Sequence, residues 1–242
     1  ALPILREKEP KSYSKPPAIK SSELHAEGGA MKYLREKRKL SLDVIRSLRI
    51  EGSKEKGAII FPSYSPNGEL INRSYRTLTE PKKVWQDKEC APCLFGWQCV
   101  PRASYESRSI LIAEGQLDAA TWLQWGVPAL SIPNGAGMTW IDYEWDNLAV
   151  FDHIYLSFDQ DAAGREFLET VVNRLGKHRC LIVSIPKKDA NACLQAGYTA
   201  QDAADWIKNA KTPKIRRLVT AAEMESRLLA QLQYKEEAFT LP

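Results

Sequence analysis

Two acidic clusters could carry chemistry in this chain. Residues 109–119 read S-I-L-I-A-E-G-Q-L-D-A, and residues 153–166 read H-I-Y-L-S-F-D-Q-D-A-A-G-R-E. In each, an apolar run of strand length leads into carboxylates and then into a helical pattern. That order predicts Glu114, Asp159 and Asp161 at the carboxyl ends of neighbouring strands in an open α/β sheet, where such sheets bind ligands. Carboxylates gathered in one crevice repel one another unless a cation lies among them. Hard divalent cations favour oxygen ligands, and Mg²⁺ commonly combines one or two carboxylates with substrate phosphates. The chemistry predicted is magnesium-dependent (or manganese-dependent) work on phosphates.

Gly115 lets the chain turn sharply after Glu114 and approach a ligand closely. A carboxylate at position 114 could act as a general base or bind a metal that activates a hydroxyl; the alternative is a helix-capping acid. Asp118, one helical turn on, could cap or brace the turn. Asp159 and Asp161 are two residues apart, so in an extended segment both point to one side and could share one metal or bridge two. An Asx turn plus a helix N-cap would explain the same pair. Arg165 follows one turn into the next helix, placed either for phosphate, for bracing Asp161, or for a surface salt bridge. The small-residue loop Asn134-Gly135-Ala136-Gly137 could bring backbone N–H groups to a phosphate or form a plain turn.

The elements around these residues follow from periodicity and punctuation. Helices are expected over 31–40 and 41–48, the second with Ser41 as N-cap. Residues 57–64 and 68–78 read as a hairpin about the turn signal Ser65-Pro66-Asn67-Gly68. Strands are expected at 109–113, 129–132, 153–158 and 180–185. Helices are expected at 117–125, 142–151, 163–175 and 200–209. This alternation predicts a mainly parallel sheet with helices on both faces. A further amphipathic helix is expected at 220–234.

Composition narrows the function. The 242 residues carry a net charge of +4. Residues 1–88 hold 19 Lys and Arg against 11 Asp and Glu, and the remainder holds 15 against 19. A basic part beside an acidic part suits a polynucleotide enzyme, although a solvated Lys-rich surface would look the same. Arg73 and Arg76 lie on the basic hairpin with Tyr64 and Tyr75. Arginine clamps on triphosphate charge are the expected companions of such a metal site, and Lys82, Lys83 and Lys88 extend the positive surface. No apolar run approaches the roughly 20 residues a membrane helix needs, so no membrane partner is expected. The start resembles no secretory signal, and its lack of Met is what a piece of a longer protein would show. Five cysteines, an odd count, argue for free thiols in a reducing, cytoplasmic compartment. Cys90, Cys93 and Cys99 are poorly spaced for structural zinc. His153 and His178 read as structural. Trp85 and Trp97 are the tryptophans that could stack on a base.

The motifs also resemble a family. E-G-Q-L-D followed about 40 residues later by F-D-Q-D-A-A-G-R looks like the TOPRIM domain of primases, topoisomerases and some nucleases. P-K-K-D-A-N-A-C-L at 186–194 and C-L-F-G-W at 93–97 narrow the resemblance to the primase half of T-odd coliphage primase-helicases and their prophage relatives. It spans residue 31 to the C-terminus. It implies an α/β TOPRIM domain with a mainly parallel sheet, beside a smaller basic α+β N-terminal subdomain. The divisions implied are 1–30 as an extended arm, 31–105, 106–212, and 213–242 as a linker helix toward a helicase domain or partner. Glu114 becomes the acid/base candidate, and Asp189 a further acid of the metal site, with Lys187 and Lys188 nearby for phosphates. Arg76 matches a basic position near the incoming nucleotide, and Asn191 caps a turn. The family often has an acid where Gln116 stands. The activity implied is synthesis of RNA primers from ribonucleoside triphosphates on a single-stranded DNA template. The rival readings are a TOPRIM nuclease and a non-catalytic DNA-binding or helicase-loading module.

Overall fold

The computed structural model describes residues 12–19, 24–25, 28–53, 56–79, 81–133 and 137–213. The chain divides into two units, Ala1–Thr212 and Pro213–Pro242. The expected helix at 220–234, with the helicase-facing role given to it, lies outside the described residues, as do Asn134, Gly135 and Ala136.

The N-terminal part pairs helical turns with a five-stranded antiparallel sheet. Strand β1 (Leu24–His25) precedes α1 (Gly29–Lys32), which runs into a π-helical turn, Tyr33–Lys37. Helix α2 (Leu42–Ser47) follows, and the Ser41 hydroxyl accepts the Val44 N–H at 3.3 Å as the expected N-cap. Strands β2 (Glu51–Ser53), β3 (Ala58–Tyr64), β4 (Leu70–Thr77) and β5 (Val84–Gln86) then pair in chain order. The β3–β4 hairpin turns at Ser65-Pro66-Asn67-Gly68, where Gly68 supplies the left-handed backbone.

Residue parity splits the two hairpin arginines. Successive side chains on a strand point to opposite faces, and positions 73 and 76 differ by an odd number. Arg73 is 4% exposed and ion-pairs with Asp87 at 2.8 Å, while the Tyr75 hydroxyl donates to the other carboxylate oxygen at 3.0 Å. Arg73 also donates to the Pro17 carbonyl, fastening the N-terminal arm. Its expected place beside phosphates is thus corrected: the guanidinium is consumed inside the sheet. Removing one partner of a buried pair leaves the other uncompensated, so Asp87→Ala should lower unfolding free energy by about 3 kcal/mol in urea denaturation.

The second part begins with α3 (Arg102–Glu106) and builds a four-stranded parallel sheet. Its elements are β6 (Ser109–Ala113), α4 (Gln116–Gln124), β7 (Ala129–Ser131), α5 (Thr139–Leu148), β8 (His153–Ser157), α6 (Ala162–Leu175), β9 (Cys180–Ile182), α7 (Ala190–Gln195) and α8 (Ala200–Lys208). The order is β7-β6-β8-β9. From Ile110 on, both faces of β6 are buried, which is why I-L-I-A is apolar rather than alternating. Leu111 and Ala113 join a core shared with Ile59 and Phe61 of β3, so the two sheets share one interior. Ile110 and Ile112 face a second core with Ile154 and Leu156.

The Cys93–Trp97 segment joins the halves. Phe95 bridges antiparallel to Ser131 on the edge of the parallel sheet, and its ring meets Phe61 edge-on at 5.8 Å. Gly96 has φ +111°, and a Cβ there would lie 2.7 Å from the Ala129 carbonyl, so glycine is required. Glu144, fully buried, accepts the Leu94 N–H at 2.7 Å and the Trp97 indole at 3.2 Å.

Candidate functional site

The chain reverses its direction of travel across the sheet between β6 and β8, since β7 lies to one side of β6 and β8 to the other. Ligands of open parallel sheets bind at the carboxyl ends of the strands beside such a reversal. Glu114 follows β6 there, and Asp159 and Asp161 follow β8. The Asp159 N–H donates to Glu114 Oε2 at 3.0 Å, so Glu114 braces the neighbouring strand end rather than capping its own helix. Asp161 caps α6, accepting the Gly164 N–H at 2.9 Å. Asp189 likewise caps α7, accepting the Ala192 N–H at 2.7 Å. The Asp161 and Asp189 caps leave each residue a second carboxylate oxygen for other work. The two loops are tied by Gln160 N–H to the Lys188 carbonyl at 3.1 Å.

Glu114, Asp159 and Asp189 line a cleft of about 270 Å³, and Asp161, exposed, lies outside its lining. Glu114, Asp118, Asp159 and Asp189 share it with Lys188, while Arg38, Arg76 and Lys82 come from the N-terminal part. Burial, and then the neighbouring Asp159 and Asp161 charges, push the Glu114 carboxyl up. Burial and the nearby acids likewise push Asp159 up, against the pull of Lys188. Burial and then the charges of Arg76, Arg38 and Lys188 push the Lys82 ammonium down. The cleft thus gathers acids, with Lys188 among them, and the cations of the N-terminal part.

Asp118 is the most strained acid. Burial, with Asp189, Asp159 and Glu114 nearby, pushes it up to about 7. A carboxyl protonated more readily folded than unfolded binds extra protons on folding, so its stabilising contribution declines as pH rises from the ordinary carboxylate range to about 7. Without divalent cations, Asp118→Asn should therefore gain about 1 kcal/mol relative to the parent between pH 5 and pH 8 in urea titrations.

The donor set is all oxygen, which suits Mg²⁺ or Mn²⁺. Burial first, and then their acidic neighbours, disfavour the charged forms of Glu114 and Asp159, which a cation would offset. Lys188 supplies part of that offset, with its ammonium 3.4 Å from Asp159 and 3.7 Å from Asp161. Among the described residues no three His, Cys, Asp or Glu side chains stand close enough together to hold an ion in this arrangement. The residues fit a divalent cation in kind, and Lys188 stands where its charge would be needed.

Other expected residues are placed elsewhere. Lys187 is exposed and does not line the cleft. Arg165 is exposed on α6, its guanidinium donating to the Gln160 carbonyl. Trp97 is 3% exposed and stacks on Phe151, so it is a core residue, not a base platform. Trp85 stacks on Tyr75 at 5.3 Å and 7°, and Tyr64 lies under Arg49. The cysteines are free thiols. Asn191 is not a simple turn cap but a buried hub. Arg38 is the cleft residue sequence reasoning missed. It lies just past an irregular helical turn, where no periodicity predicts its direction.

Residues 111–194 match the family described as Toprim-like. A primase homolog protein of Arabidopsis thaliana is 30% identical over 162 residues, 57% of this chain and 46% of that protein. The Twinkle homolog protein, chloroplastic/mitochondrial, of the same plant is 28% identical over 162 residues, 57% of this chain and 22% of that protein. The chain thus spans less than half the length of these curated relatives. The crystal structure of the primase fragment of the bacteriophage T7 primase-helicase superposes with a TM-score of 0.60 at 20% identity, covering 71% of this chain and 72% of that one. Residues 111–194, which hold Glu114, Asp159, Asp161 and Asp189, are thus similar to the Toprim-like family, and the fold is similar to that of the phage primase fragment.

Proposed function

We propose that this chain is the RNA-synthesising region of a primase, joining ribonucleotides on a single-stranded DNA template. The carrying observation is that acids at the β6 and β8 ends share one cleft with Arg38, Arg76 and Lys82. The 3′-hydroxyl of one nucleotide attacks the α-phosphate of the next, the α–β bond breaks, and pyrophosphate leaves. Glu114, half-buried and ready to hold a proton, is the acid/base residue at that hydroxyl. Asp159, Asp161 and Asp189 would hold Mg²⁺ or Mn²⁺, with Glu114 beside them. The bound ion supplies positive charge to the phosphates. Arg76, Arg38 and Lys82 orient the triphosphate, and Lys188, beside Asp159 and Asp161, would add its charge to the phosphates. Similarity to a primase homolog and the phage primase fold both support this reading.

A helicase partner, reached through the segment after residue 212, and a reducing cytoplasmic setting complete the reading. No described helix is long and apolar enough to cross a membrane. Incubation with single-stranded DNA, Mg²⁺ and labelled ribonucleotides, with and without a supplied dinucleotide, tests the activity. Short labelled RNA is expected. Shortened DNA would instead make the site a nuclease, and DNA binding without products would make the chain a passive module.

A further inference from the structure

The acids of the cleft come from the parallel-sheet half, and Arg38, Arg76 and Lys82 from the N-terminal part. Besides the shared apolar core, a line of polar contacts ties the two. Asp118 Oδ1 accepts the Asn191 backbone N–H at 2.9 Å. The Asn191 side chain donates to the Arg38 carbonyl at 3.0 Å and to the Thr121 hydroxyl at 3.1 Å. Its oxygen accepts Arg38 Nη1 at 3.4 Å and the Gln195 amide at 2.9 Å. Arg38 Nε then donates to the Tyr33 hydroxyl at 2.8 Å, and Arg76 Nη2 reaches the same hydroxyl at 3.5 Å. Asn191 is 2% exposed, and its side chain is saturated.

The backbone presenting Arg38 is unusual. The Arg38 N–H bonds the Tyr33 carbonyl, closing the π turn, and Lys39 takes φ +59° without being glycine. Such conformations persist when the surroundings over-determine them, and they gather at functional sites. Here the acidic half does the determining: Asn191 holds the Arg38 carbonyl, and Gln124 donates to the Lys39 carbonyl at 3.0 Å. Arg76 adds a second observation, because its Nε is buried with no acceptor among the described residues. Two guanidiniums therefore lean on one phenolic oxygen while retaining donors for something else.

We propose that Tyr33 and Asn191 are positioning residues, which hold Arg38 and Arg76 at a fixed reach from the acids so that both guanidiniums meet the triphosphate of a bound nucleotide. The inference rests on the primase reading and adds to it how the basic wall is aimed. Tyr33 supplies the shared acceptor, and Asn191 supplies the tie to the acidic half. Neither touches the reacting atoms.

Tyr33→Phe is the cleanest test, since it deletes one oxygen and keeps the ring beneath Arg38, whose guanidinium lies 5.2 Å from the ring centroid. Binding of a fluorescent ribonucleoside triphosphate in Mg²⁺ should weaken about tenfold, as expected for losing an acceptor to charged donors. KM for nucleotide should rise alike, with kcat within about threefold and the thermal midpoint nearly unchanged, because aim rather than chemistry or folding is affected. Asn191→Ala should weaken nucleotide binding as much or more, with some loss of stability. The double variant should show less than the sum of the two effects, because one chain of contacts is cut twice. Unchanged nucleotide affinity in folded Tyr33→Phe, or strict additivity in the double variant, overturns the inference while leaving the primase reading intact. Parent protein that neither binds triphosphates nor makes RNA overturns both.

Discussion

Asp159→Ala is expected to reduce RNA synthesis about a thousandfold or more, the scale seen when a group that stabilises developing charge is removed. The same change should leave the fold intact and raise the unfolding midpoint slightly in the absence of divalent cations. Asp159 lies at a strand end where burial and its acidic neighbours already disfavour its charge. Its side chain's contact is with the flexible, largely exposed Lys188, while its backbone N–H bond to Glu114 survives truncation. A half-buried acid whose charge is disfavoured, lining a cleft, fits a functional rather than a structural role. Gel assays of labelled RNA alongside calorimetry check both halves, and loss of activity together with a large fall in stability would count against this account.

Gly164→Ala should produce the second largest effect without altering any charge. A Cβ at position 164 would lie 2.3 Å from the Asp159 carbonyl oxygen and 2.9 Å from its carbonyl carbon. Backbone, not a pliable side-chain tip, stands in the way, so the Asp159 loop or the first turn of α6 must shift. The Gly164 N–H also serves the Asp161 cap. A misplacement of about 1 Å at a catalytic group costs on the order of a hundredfold in rate. Overpacking of this kind costs about 1–3 kcal/mol. Synthesis should fall about a hundredfold although every acid remains, a loss that steady-state kinetics on the purified variant would measure.

Much of this site was legible in the sequence because it sits at strand ends. Apolar runs such as S-I-L-I-A and H-I-Y-L-S announce buried strands, and the acid after each run inherits its position from the sheet. The family resemblance supplied Asp189, which spacing alone could not place, since the chain between β9 and α7 is irregular. The basic wall was harder. Parity along β4 already separates positions 73 and 76, and applying it would have assigned Arg73 to the sheet's interior. Arg38 gave no such signal, because a π turn breaks the helical period before it and a left-handed Lys39 follows it. Trp97 misled because an aromatic beside glycine suits stacking on a base as well as packing. Its burial, its stacking on Phe151 and the buried Glu144 that accepts its indole N–H decide the matter.

The central claim is that acids of the parallel-sheet half and guanidiniums of the N-terminal part serve one phosphate-bearing ligand. Anomalous scattering from crystals of the protein grown with Mn²⁺ and a non-hydrolysable ribonucleoside triphosphate tests it most directly. The account predicts a manganese peak beside Glu114 and Asp159, with phosphate density running from it to Arg76 and Arg38. Manganese bound away from these acids, or a nucleotide seated outside the cleft, would contradict it.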